Sequence, residues 1–472
     1  MSIVDWIFII LYFAVLVLIG YQTSKRINTV EDYNIAGGKV IWPAMFATLA
    51  ASFLGGGSSI GLAGNVLQNG YVYMFAFFGF AIQFLLIGYF IAPKLKRYKG
   101  AQTVADIMER HYGKTAKLFT GILSIALCIG ILGAQAVAIG AIFNVTLGMT
   151  TFTGILIGMG VVILYSTVGG LWAVIQTDVV QFIILGILLP VVLIIGLFHV
   201  GGVEGLIASV PDTHFSIMGD WTMGAFISLL ITFLLGEALV PPYAQRAFAS
   251  KDPSHARKGY VVSGFFAFGF FFITGTIGLI GYQLFPNVAP DTLLPTIVSE
   301  LLPIGVTGLA VAALLAVIMS TASSYLNATS VSFIQDIYVP FIKKDASEKS
   351  LLLIGKVVTL LTGVGAVGFA LAVPNIIDAL SAAYTIWAPT IVLPLIIAVV
   401  FKVYHKAAGV SSIITGGVFT AIWTWFLDEP FGFTGIVPGL IGNILAFVVV
   451  YAIMRNKSGH DMEIEPETKT AN

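Results

Sequence analysis

Five oxygen-bearing side chains stand together after an apolar run. Ser320, Thr321, Ser323, Ser324 and Asn327 directly follow the stretch VAALLAVIM. At helical spacing, Ser320, Ser323, Ser324 and Asn327 share one face. Hydroxyl and carbonyl oxygens are hard ligands, and the rule that assigns them to Ca²⁺ and Mg²⁺ extends to Na⁺. A small-cation site inside an apolar protein implies ion-coupled transport. The same hydroxyls could bond back to the carbonyl four residues earlier, or simply let helices pack closely. Alone, the run fits both readings.

Two acids, Asp178 and Glu237, lie within apolar stretches without a basic neighbour in the local sequence. Ionisable residues at membrane depth are functional candidates by default. Each also has a structural reading, as a hydrogen-bonded helix-end acid or a protonated, packed carboxyl. Other chemistry has little support. The single cysteine, Cys128, allows no disulfide within the chain, and the six His show no metal spacing. A net charge of zero leaves no electrostatic footprint for nucleic acid. No nucleophile triad or metal cluster is visible, so an enzyme is not expected.

The elements that must hold these residues are membrane helices. Of 472 residues, 58% are hydrophobic and 10% charged, with a mean hydropathy of +0.98. A soluble domain carries ~25% charged residues. Apolar stretches long enough to span fall at 3–21, 42–66, 71–93, 117–143, 151–169, 172–200, 222–246, 258–283, 304–332, 351–372, 378–401, 408–427 and 433–454. The expected fold is all-α: a polytopic membrane protein with thirteen transmembrane helices, in one domain over 1–454. The tail 455–472 reads as disordered and cytoplasmic.

Charge tests that count. With the N-terminus outside and the C-terminus cytoplasmic, Lys25, Arg26, Lys94, Lys96, Arg97, Lys99, Arg110 and Lys114 lie inside. No Lys or Arg falls in an outside loop, although the chain holds 23 of them. This is the positive-inside pattern, and one helix more or fewer would destroy it. The expected location is the plasma membrane, or the inner membrane if the chain is bacterial.

Two spans carry interruptions. Gly55, Gly56, Gly57, Ser58 and Ser59 sit in the middle of the second, where unwinding is cheap. Pro241-Pro242 must break or bend the seventh, one turn after Glu237. The two breaks are five spans apart. This predicts inverted five-helix repeats with broken helices, over about 42–200 and 222–401. Paired breaks at matching positions point to a transporter's binding site.

Several motifs carry a resemblance: Ala50-Ala51-Ser52 before the first break, Thr103 to Gly113, and Leu164 to Ala173 continuing through Thr177-Asp178 to Gln181. Tyr243-Ala244-Gln245-Arg246 and Met319-Ser320-Thr321 through Asp336-Ile337-Tyr338 complete the set. On these residues the chain resembles the sodium:solute symporter family over nearly its whole length. The resemblance implies one Na⁺ held by the carbonyls of Ala51, Leu54 and Val317 and the hydroxyls of Ser320 and Thr321. It implies a second on Asp178, Ser320, Ser323 and Ser324, so two Na⁺ per cycle are favoured over one. Solute contacts are expected from Phe53, Gly55, Ser58, Ser59, Tyr73, Phe77, Gln135, Glu237 and Tyr243. The expected partners are a small organic solute and the lipid bilayer, with no nucleic acid. A monomer is compatible with this reading.

The solute is left open. Phe53 and Val240 stand where the choline-transporter branch has tryptophans, and Phe53 where proline symporters have an aspartate. The expected function is Na⁺-driven uptake by alternating access. The alternatives are a proton-coupled or passive carrier, or a membrane-bound solute sensor.

Overall fold

The computed structural model describes residues 3–24, 30–303, 305–403 and 405–454. The expected disordered tail, with Lys25 and Arg26, lies outside the described residues. Those described form an all-helical membrane protein, with one isolated bridge pairing Val40 and Ser250. Among them, ten helices are long and apolar enough to cross a membrane, and eleven if one bent pair counts as a span. The predicted spans 151–169 and 222–246 contain shorter apolar helices, Thr151–Thr167 and Met223–Leu235. A count of thirteen rests on reading these two as spans.

The first break follows from its residues. Helix α1 (Ile3–Ser24) is followed by α2 (Trp42–Phe53), which opens with Pro43 in its first turn. A proline there gives up an N–H that would have no helical partner. After Phe53 the chain unwinds, re-enters through a wide turn at Gly57–Gly61, and continues as α3 (Leu62–Asn69). The two halves are bent by 63°. Close packing enforces glycine here. A Cβ on Gly55 would lie 2.7 Å from Thr321 Oγ1 and 2.8 Å from Gln135 Oε1.

Next come α4 (Tyr71–Leu86), the short α5 (Val104–Tyr112) in a loop, and α6 (Lys114–Leu147). α7 runs Thr151–His199 and turns sharply at Gly170, whose φ of 53° suits a residue without a Cβ. The second break differs from the expectation. α8 (Met223–Leu235) ends before the prolines, and the chain is irregular through Gly236–Val240 with Leu239 at φ 55°. Pro241 and Pro242 then form the first turn of α9 (Pro241–Ala249). The prolines begin the second half-helix; they do not interrupt a continuous one.

α10 (Pro253–Leu284) leads to α11 (Val306–Ser332), which carries the Ser/Thr run. The apolar core of the span that α11 opens is 89% buried, against 24% for α1. A helix buried on all sides is the central pillar. α6, α7, α1 and α12 (Glu348–Ala372) pack around it. α13 (Ile376–Trp387) returns to the first break, where Leu380 meets Gly57. α14 (Lys406–Ala421) and α15 (Ile436–Met454) pack on each other at the periphery.

Candidate functional site

The site grows out of the first break. In an unbroken helix the Gly56 N–H would bond the Ser52 carbonyl. Here it bonds Gln135 Oε1 of α6 at 2.8 Å. The Ser52 carbonyl is thereby released, and the chain presents it to α11. Thr321 Oγ1 lies 2.9 Å from it, and 3.4 Å from the carbonyls of both Ala51 and Val317. Ser320 Oγ lies 2.8 Å from the Ala51 carbonyl and 2.6 Å from that of Val317. Five oxygens thus crowd one junction, and only the two hydroxyls bring a hydrogen. This surplus of acceptors suits a hard cation.

Of the predicted first-site residues, Ala51, Val317, Ser320 and Thr321 meet here. Ser52 joins them through its carbonyl, and the Leu54 carbonyl is not among the contacts. Sequence pattern could not single out the Ser52 carbonyl, because unwinding decides which carbonyls turn inward.

A second polar layer lies beside the first. Arg246 of α9, fully buried, reaches three other helices. Its Nη2 is 3.3 Å from Asp178 Oδ2 and 2.6 Å from Ser324 Oγ, and its Nε is 3.2 Å from Thr48 Oγ1. Thr48 also donates to Asp178 Oδ2. Ser324 Oγ lies 3.1 Å from Ser52 Oγ, which ties this layer to the break. Ser323 instead bonds back to the Ser320 carbonyl at 3.0 Å. Asp178 Oδ1 is buried without a hydrogen-bond partner among the described residues. Of the predicted second-site residues, Asp178 and Ser324 meet through Arg246, while Ser320 bonds the Ala51 and Val317 carbonyls and Ser323 the Ser320 carbonyl. The sequence placed Arg246 at a helix end and gave Asp178 no local base; the tertiary fold pairs them. Asn327, on the same face, accepts from Gln245 Nε2 at 3.0 Å.

A cavity adjoins the junction. Phe53, Gly55, Ser58, Phe77, Gln135 and Glu237 line it, as the sequence led us to expect. Ser59, Tyr73 and Tyr243 do not. Ser59 Oγ bonds back to the Gly55 carbonyl at 2.7 Å. Tyr73 packs among Phe77, Trp221 and Phe233. Tyr243 stands behind Glu237 and donates to its Oε2 at 2.5 Å.

Phe80, Phe271, Leu380 and Tyr384 complete the wall. Phe80 was within reach, three residues after Phe77 on one helix face. The other three come from α10 and α13 and carry no motif. Ser52 and Thr321 belong to both the oxygen junction and the cavity wall.

The comparisons with known proteins give the family and the fold. A model of the sodium:solute symporter family matches residues 33–416. The chain is 28% identical over 461 residues to the high-affinity proline transporter of Bacillus subtilis (strain 168), covering 92% of this chain and 95% of that one. It is 29% identical over 401 residues to sodium/glucose cotransporter 4 of Danio rerio, covering 75% of this chain and 60% of that relative's length. A solved substrate-bound, outward-open Na⁺-coupled sialic acid symporter superposes with a TM-score of 0.83 at 21% identity. That match covers 96% of this chain and 98% of the other, and it speaks for the fold. The chain belongs to the sodium:solute symporter family, as a multi-span membrane carrier that couples Na⁺ to the uptake of a solute.

Proposed function

We propose that Na⁺ binds at the junction of α2 and α11 and that the adjoining cavity holds a small organic solute. The observation that carries this reading is shared membership. Ser52 and Thr321 face both the oxygen junction and the cavity. A cation held by Ala51, Leu54, Val317, Ser320 and Thr321 would fasten the broken helix to the central pillar. That packing organises the cavity wall, so Na⁺ and solute each favour the state the other prefers. The Na⁺ gradient then drives uptake by alternating access.

A second Na⁺ at Asp178, Ser320, Ser323 and Ser324 is favoured by the unpartnered Asp178 Oδ1. Arg246 holds the other oxygen, Oδ2, at 3.3 Å, so the carboxylate would serve the guanidinium and the ion from opposite oxygens. In this reading the two repeats, about 42–200 and 222–401, move against each other within thirteen spans. The N-terminus faces outside, and the basic loops face the cytoplasm. The solutes named for the relatives, proline and glucose, are starting points for assay.

The test is thermal unfolding of the purified protein titrated with NaCl against KCl. Stabilisation specific to Na⁺ is expected. Thr321→Ala and Ser320→Ala should lose it, and a response with a Hill coefficient above one would indicate two ions. Proteoliposomes given proline or glucose under imposed Na⁺ or H⁺ gradients then distinguish Na⁺ coupling from proton coupling. Equal responses to Na⁺ and K⁺ would overturn the reading.

A further inference from the structure

The cavity wall contains one ionisable acid, Glu237, and no Lys, Arg or His. Glu237 Oε2 accepts from Tyr243 at 2.5 Å, and Oε1 accepts from Tyr384 at 2.7 Å. Both carboxyl oxygens are thus held by hydroxyl donors. Among the described residues, no basic side chain forms an ion pair with it. A buried acid therefore faces the cavity with no basic side chain against it.

The rest of the wall is aromatic. Phe77 and Phe271 meet at 4.9 Å with planes 88° apart, and Phe53 meets Phe271 at 6.0 Å and 71°. Phe80 meets Tyr384 at 6.1 Å and 74°. These three pairs stand at steep angles and form corners, while Phe77 and Phe80 are tilted by 56° at 5.0 Å. Tyr384 joins this wall to the carboxylate. Aromatic quadrupoles attract a positive centre, and the attraction grows once water is excluded. A desolvated carboxylate is costly until a cation arrives.

We propose that the transported solute is a small organic cation, an ammonium compound whose charged nitrogen sits between Glu237 and the aromatic corners. The proposal rests on reading this cavity as the solute site of a Na⁺ symporter. Glu237 has one competing task, offsetting the charge of Na⁺ held by neutral oxygens nearby. The experiment separates the two.

Purified full-length protein in detergent is unfolded thermally in NaCl, with choline, ethanolamine or 3,3-dimethylbutan-1-ol as probes. The last is the uncharged carbon isostere of choline. Both ammonium probes are expected to raise the midpoint and the alcohol is not. A larger shift with choline than with ethanolamine would place methyl groups against the rings; the reverse would point to a hydrogen-bonded primary ammonium. Glu237→Gln should weaken the ammonium probes at least about tenfold while keeping the response to Na⁺ alone. Phe77→Leu is the second variant, should Glu237→Gln fail to fold, and should weaken choline about three- to tenfold.

Equal shifts from choline and the alcohol, or none from either ammonium probe while Na⁺ still stabilises, would overturn the proposal. So would a folded Glu237→Gln variant that loses its Na⁺ response, because the acid would then serve the ion. An unmodified protein with no Na⁺ response would instead overturn the symport reading.

Discussion

Arg246 Nη2 lies 3.3 Å from Asp178 Oδ2, with both side chains wholly excluded from solvent. The pair joins the broken half-helix α9 to α7 and, through Ser324, to the central α11. Removing one partner of a buried ion pair leaves an uncompensated charge. Asp178→Asn and Arg246→Gln should each destabilise the protein by ~3–5 kcal/mol. The double variant should recover much of that loss, because neither charge is then stranded. Thermal unfolding of all four proteins gives the coupling energy. Losses that simply add would refute the pairing.

Thr321 lines the cavity and also reaches the carbonyls of Ala51 and Ser52, so the proposed ion and solute sites meet on it. Thr321→Ala removes a hydroxyl that lies 2.9 Å from the Ser52 carbonyl. Thr321→Ser keeps it. At Na⁺ about 100-fold above its Kd, binding stabilises by ~2.7 kcal/mol. That increment should vanish in the alanine variant and persist in the serine variant. Melting midpoints in NaCl and KCl read both out, and an unchanged increment in Thr321→Ala would remove this residue from the ion site.

Gly55 has no space for a side chain. Its Cβ would come within 2.8 Å of both Thr321 Oγ1 and Gln135 Oε1. Gly55→Ala should cost ~1–3 kcal/mol through overpacking. It should also displace Thr321 and weaken Na⁺ more than it weakens the fold. Comparing the melting midpoint in KCl with the Na⁺-dependent shift separates these effects. A variant with native Na⁺ affinity would show that the junction tolerates the displacement.

The loop helix α5 should respond to pH. It opens with a capping box between Thr103 and Asp106, and Lys117 Nζ reaches Asp106 at 2.9 Å and Glu109 at 2.7 Å. Burial, with Arg110 nearby, pushes the His111 imidazole down from 6.5 to about 4. Folded α5 therefore holds His111 neutral at a pH where the unfolded segment would protonate it. Its contribution is fully present above about pH 6.5 and is lost as pH falls toward 4. Hydrogen exchange across residues 104–112 should quicken over that window, and His111→Gln should flatten the dependence. An identical profile in the variant would exclude His111 as the cause.

The amino-acid sequence by itself determined the solvent and most of the secondary structure. Long apolar runs can satisfy their backbone in a bilayer only as helices. Three consecutive glycines before Ser58 marked the first break, and the oxygen run on α11 marked its partner. Both are local properties, so they were legible in order along the chain. The second break was legible in existence but not in form, because Pro241 and Pro242 can kink a helix or start one. Only the upstream turn at Leu239 chose between these outcomes.

Tertiary structure decided what lay between distant segments. It paired Arg246 with Asp178, 68 residues apart, an acid that looked isolated in sequence. It turned the Ser52 carbonyl toward α11 by giving the Gly56 N–H to Gln135. It brought Phe271 and Tyr384 to the cavity beside the first break and put Tyr243 behind Glu237. The physical reason is the same each time. An ion pair, a released carbonyl and an aromatic corner are relations between helices, and a sequence records only the residues that could enter them.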